Sequence, residues 1–136
     1  MLTRIHHVAV LVPDLEAALG PFRDLLGLPV SRVETVGEQR VRVAFLPIGD
    51  TRIELVEPLD AGGALGRFLE RSGGGGLHHV CFEVDDIAAT LAELKRRGAK
   101  LIDQTPRPGG HGMRVAFVHP SSTARVLVEL AEGEGA

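Results

Sequence analysis

His6-His7-Val8 near the start of the chain returns as His78-His79-Val80, and Ile53-Glu54-Leu55 returns as Val128-Glu129-Leu130. Imidazole nitrogens and carboxylate oxygens are ligands for divalent transition ions, and both groups also carry protons. Two nitrogens and two oxygens with open positions left over suit one ion of the Co, Mn, Ni, Fe or Zn kind. The candidate ligands are His7, Glu54, His79 and Glu129.

These recurrences belong to a longer pattern. The histidine segments are 72 residues apart, Val12-Pro13-Asp14-Leu15 matches Val84-Asp85-Asp86-Ile87 at the same step, and Arg42-Val43-Ala44-Phe45 repeats without change as Arg114-Val115-Ala116-Phe117. The glutamates are 75 residues apart, so an indel of three residues precedes the last strand. Four matched segments in one order mark an internal duplication.

Each copy reads as strand, helix and three strands. In the first, His7 to Val12 is a β-branched run ending at Pro13. Asp14 then N-caps a helix with Leu15, Ala18, Leu19, Phe22, Leu25 and Leu26 on its apolar side. Gly20-Pro21 should kink that helix, because proline lacks the backbone donor. Strands are expected at about 30–36, 41–47 and 52–56. The second copy gives a strand at 80–84, a helix over 86–97 stopped by Gly98, and strands at about 100–103, 113–119 and 124–130. The linker between them holds a short helix at 65–71 and the run Gly73–Gly76, which reads as a flexible hinge. The expected fold is α+β: one domain over 1–136, with module one at about 4–58, a linker at about 59–76 and module two at about 77–131. The two tandem βαβββ modules are expected to form a curved mixed sheet around a metal-binding cleft.

Strand alternation turns Glu54 away from Ile53 and Leu55, and Glu129 toward the side of Leu127. Each glutamate sits in an otherwise apolar strand, where an uncompensated carboxylate is expensive. An ion is one remedy, and a solvated sheet edge is the other. His6 and His78 have the opposite parity and read as structural residues facing the helices. His111, within Gly109–Gly112, is either a lid residue or merely solvated, and His119-Pro120 reads as a turn former.

At 44% hydrophobic and 24% charged residues, with a net charge of −3 and no block of like charge, nothing suggests a nucleic-acid or membrane-surface partner. No segment reaches membrane-spanning length and the N-terminus lacks a signal-peptide core. One cysteine, Cys81, rules out an internal disulfide and fits a reducing cytoplasm; its apolar neighbours make it a small buried hydrophobe.

A duplicated βαβββ unit with His and Glu at these positions resembles the vicinal oxygen chelate superfamily. Within it the chain resembles the methylmalonyl-CoA epimerases. The resemblance is carried by Ile5-His6-His7-Val8-Ala9-Val10, Leu26-Gly27-Leu28, Glu54-Leu55-Val56-Glu57-Pro58, Leu77-His78-His79-Val80, His119-Pro120 and Val126-Leu127-Val128-Glu129-Leu130. The four ligands alone would equally suit a glyoxalase I-type lactoylglutathione lyase. Those lyases typically carry Asp-Pro-Asp-Gly before the last strand, where this chain has His119-Pro120-Ser121-Ser122.

The resemblance implies interconversion of (R)- and (S)-methylmalonyl-CoA by removal and return of the C2 proton, through a metal-stabilised enolate. It also implies one divalent ion, an acyl-CoA substrate and a homodimer. Some epimerases place a base glutamate on the second strand of the module and a glutamine ligand on the next strand. The corresponding residues here are Val43 and Glu54. Glu54 and Glu129 are therefore expected to serve as both ligands and catalytic bases.

Overall fold

The computed structural model describes residues 1–133, which form two compact units. His7–His78 make up the first; Met1–His6 and the chain from His79 onward make up the second. The boundary falls inside the first strand, β1 (Leu2–Leu11), which is longer at its N-terminal end than expected.

In the first unit β1 leads into α1 (Leu15–Leu19), then β2 (Arg32–Val36), β3 (Val41–Ile48), β4 (Thr51–Pro58) and α2 (Ala64–Arg71). The strand order is β2-β3-β4-β1. β2, β3 and β4 run antiparallel, and β4 pairs with β1 in parallel. The kink foreseen at Gly20-Pro21 takes a definite form: α1 continues as a π-helical turn, Gly20–Leu25, in which the Leu26 N–H reaches back to the Pro21 carbonyl at 3.0 Å. Proline's missing donor makes this wider turn a natural continuation. One sheet face buries Ala44, Leu46 and Leu55 against Leu15 and Leu19 of α1. The other buries Leu11, Val41, Val43, Phe45 and Val56, with Leu65, Phe68 and Leu69 of α2 packed over them. His78 meets Phe68 edge-on at 5.0 Å between ring centroids, so it does face a helix.

The glycine run contributes something other than slack. Gly73, Gly74, Gly75 and Gly76 all hold positive φ. A Cβ on Gly75 would also lie 2.6 Å from the Leu11 carbonyl oxygen. Both features demand glycine.

The second unit contains β5 (Gly76–Val84), α3 (Ile87–Arg96), β6 (Arg107–Pro108), β7 (Arg114–Val118) and β8 (Leu127–Glu132). β5 pairs with β8 in parallel; β8, β7 and β6 are antiparallel. α3 buries Ile87 and Leu91 against Ala116, Val118 and Leu130. Cys81 is wholly buried among Met113, Val115 and Ala131, as a small hydrophobe should be. Two strand expectations need correction. Residues 100–103 make only a single bridge, Leu101 to Val118, because the Asp103 carboxylate takes the Phe117 N–H (2.8 Å) that a neighbouring strand would use. The last strand starts at Leu127 rather than Ala124, since Ala124 and Arg125 hold positive φ and form a turn.

The duplication extends to a device that periodicity alone does not announce. Asp14 and Asp86 each cap a helix by accepting from the N–H of Ala17 (3.2 Å) and Ala89 (3.0 Å). Glu57 and Glu132, the last acidic residues of the matched strands, accept from the N–H of Leu15 (3.2 Å) and Ile87 (2.7 Å). Two carboxylates at each helix start satisfy orphan donors and complement the helix dipole.

Candidate functional site

The parallel strand pairs share one register. Val8 lies opposite Ile53 and Ala9 opposite Glu54; Val80 lies opposite Val128 and Cys81 opposite Glu129. Each first strand therefore presents its histidine, two residues before the partner of the glutamate, on the glutamate's own sheet face. On the other side, Phe45 is opposite Glu54 and Phe117 opposite Glu129.

In the first unit the His7 Nδ1 is 3.4 Å from Glu54 Oε2, and both side chains are largely buried. Arg52 reaches the same oxygen through Nε at 2.8 Å. Arg52 Cζ stands 4.9 Å from the centroid of Phe45, and Arg32 Cζ stands 4.2 Å from it. Arg32 Nε is paired with Glu34 at 2.7 Å.

In the second unit His79 Nε2 is 3.1 Å from Glu129 Oε1, and both side chains are again largely buried. Phe117 meets His79 edge-on, with centroids 5.9 Å apart. Arg107 Cζ lies 5.3 Å from Phe117, and its Nε is 3.4 Å from Asp103.

All four expected ligands thus belong to close His–Glu pairs, His7 with Glu54 and His79 with Glu129. A largely buried carboxylate beside an imidazole offers an oxygen and a nitrogen donor where water is scarce. That donor set fits a divalent transition ion. Val43, where some relatives carry a base, is buried in the apolar cluster around Phe45 and cannot move a proton. Outside these pairs, His111 is exposed with a left-handed backbone, and His119 caps the turn at Pro120–Ser122 by accepting the Ser121 N–H at 3.0 Å, a conformational role. The arginines on Phe45 were not singled out from the sequence. The signal was available: Arg52 shares the face of Glu54 by strand alternation.

The chain belongs to the Glyoxalase/Bleomycin resistance protein/Dioxygenase superfamily, whose family profile matches residues 6–117. It is 43% identical to the mitochondrial methylmalonyl-CoA epimerase of Mus musculus, over 96% of this chain and 74% of that protein. It is 41% identical to the ethylmalonyl-CoA/methylmalonyl-CoA epimerase of Cereibacter sphaeroides, over 97% of this chain and 99% of that one. Among solved structures, a methylmalonyl-CoA epimerase in complex with methylmalonyl-CoA and NH4+ superimposes with a TM-score of 0.86 at 33% identity, covering 100% of both chains.

Proposed function

We propose that this chain is a methylmalonyl-CoA epimerase whose two His–Glu pairs, His7 with Glu54 and His79 with Glu129, hold one divalent ion of the Co, Mn, Ni or Zn kind. The observation that carries the reading is the identical parallel register of the two halves, each ending in a close, largely buried His–Glu pair. The kinship with epimerases at about 40% identity over nearly the whole chain supplies the reaction.

Epimerisation requires a proton to leave C2 of the acyl group on one face and to return on the other. Two carboxylates on opposite sides of one carbon meet that need, each being base in one direction and acid in the other. Glu54 and Glu129 take these roles, with Val43 unable to share them. His7 and His79 supply neutral nitrogen donors and hold the carboxylates in place. When bound, the ion supplies electrostatic stabilisation of the negative charge that develops on the thioester oxygen. The apolar surroundings of each pair exclude water, which strengthens those interactions and keeps the removed proton from leaking away.

A single-domain enzyme of this kind acting as a homodimer in the cytoplasm completes the reading. No helix among the described residues is long and apolar enough to cross a membrane. The deciding experiment gives the ion-loaded protein either methylmalonyl-CoA or the hemithioacetal of methylglyoxal and glutathione. Turnover of the first and not the second is expected. The reverse preference would make the chain a glyoxalase I-type lyase.

A further inference from the structure

We infer that Arg32 and Arg52, stacked together on Phe45, receive the free carboxylate of the acyl-CoA substrate. The inference rests on the epimerase reading above and names residues for the end of the substrate that the reading left unassigned.

The substrate is unsymmetrical about its reacting carbon, with a thioester on one side and a permanent negative charge on the other. Removing the C2 proton places a second negative charge beside the first, so a cation near the carboxylate is chemically required. The two halves of the protein are matched in histidine and glutamate but unmatched in arginine. The residue equivalent to Arg52, two before the glutamate in the second half, is Leu127, which has no donor to offer. In the first half two guanidinium groups lie on one ring, 4.2 and 4.9 Å from its centroid. In the second half Phe117 carries Arg107, whose side chain is 54% exposed, against 33% for Arg32 and 16% for Arg52.

Register brings these groups to one sheet face. Arg32 is opposite Phe45, Phe45 is opposite Glu54, and Arg52 is two residues from Glu54. Glu34 and Glu54 each engage an Nε edge, at 2.7 and 2.8 Å, which fixes the planes of the two guanidinium forks. Ring stacking keeps those forks weakly hydrated and in place. A guanidinium fork matches a carboxylate in shape and forms strong, charge-assisted hydrogen bonds with it. The arrangement sits beside a proposed proton-transfer carboxylate, as a clamp on a substituent of C2 must.

The test compares binding of methylmalonyl-CoA and propionyl-CoA, which lacks only the carboxylate, to the ion-loaded protein by calorimetry. The parent should prefer methylmalonyl-CoA. Arg32→Gln should weaken methylmalonyl-CoA about 10- to 100-fold, the loss expected when a hydrogen bond to a charged group goes, and leave propionyl-CoA within about two-fold. Arg32→Lys, which keeps the charge, should recover part of that loss. Arg52→Leu, which copies Leu127, should act in the same direction, with ion content measured alongside because Arg52 touches Glu54. Unchanged preference in Arg32→Gln, or equal weakening of both acyl-CoAs, would overturn the clamp while leaving the epimerase reading intact. A parent protein that binds neither acyl-CoA would instead overturn that reading, and the clamp with it.

Discussion

The two halves of this chain use the same strands for the same purpose and differ in what surrounds the result. Both set a histidine and a glutamate on one face of a parallel strand pair, opposite a phenylalanine on the next strand. Both start a helix with a pair of carboxylates. The first half adds two ring-stacked arginines and a helix over the far end of its face; the second keeps one arginine, half in solvent. Duplication supplies a symmetrical grip on an ion and an equal pair of bases, and divergence fits that grip to an unsymmetrical substrate. The residues that match are those the chemistry needs twice, and the residues that differ are those it needs once.

The comparison can be broken most sharply at the histidines. His79→Ala and His7→Ala each remove one neutral nitrogen donor, and either should release the ion and abolish turnover while the domain stays folded. Metal analysis with circular dichroism checks this, and a variant that keeps both ion and turnover places the site elsewhere. The glutamates come next. Glu54→Gln keeps an oxygen that can coordinate, so the ion should stay, but proton transfer on one face of C2 should fall about 10²–10⁴-fold. Solvent exchange of the C2 proton should then survive from one enantiomer only, and Glu129→Gln should show the opposite enantiomer. The same surviving enantiomer in both variants would contradict two bases on two faces.

Smaller effects sharpen the likeness of the halves. Asp14→Ala and Asp86→Ala each delete an N-cap and should each cost about 0.5–2 kcal/mol in denaturant unfolding. A large inequality between them would mean that the two helices do not share one capping design. The smallest effect is on acid stability. In the first half the Gly62 N–H, with Arg40, holds the Asp60 carboxyl below its usual range. In the second, Arg96 and then Arg97 do the same for Glu93. Lowered values mean these carboxylates stabilise the fold fully above their ordinary unfolded values, near pH 4, and lose that contribution as pH falls further. Asp60→Asn and Glu93→Gln should each flatten the acid limb of the melting temperature slightly, and steepening would reverse the sign argued here.

Much of this was legible because duplication makes the sequence its own comparison. His7, Glu54, His79 and Glu129 stood out by recurring at steps of 72 and 75 residues, and alternation put each glutamate on a defined face. The helix at 86–97 was readable from Asp86 and Gly98, and is observed as Ile87–Arg96 capped by Asp86. The strand expected at 100–103 failed for a local reason. A side chain, Asp103, competes for a backbone donor, and no hydrophobic pattern encodes that competition. The early start given to the last strand failed because Ala124 and Arg125 adopt the left-handed backbone that their residue types do not advertise. The arginines escaped notice because surface charge is the ordinary reading of an arginine. Only the register that sets two of them on one phenylalanine gives them a common role.

The most direct test of the central claim is hydrogen–deuterium exchange at C2 of methylmalonyl-CoA in D2O, with each enantiomer, before and after removal of divalent ions. The account predicts that deuterium enters from both enantiomers together with their interconversion, that chelation stops both, and that an added ion restores both. Undiminished exchange in the chelated protein, or no exchange from either enantiomer in the loaded one, would contradict it.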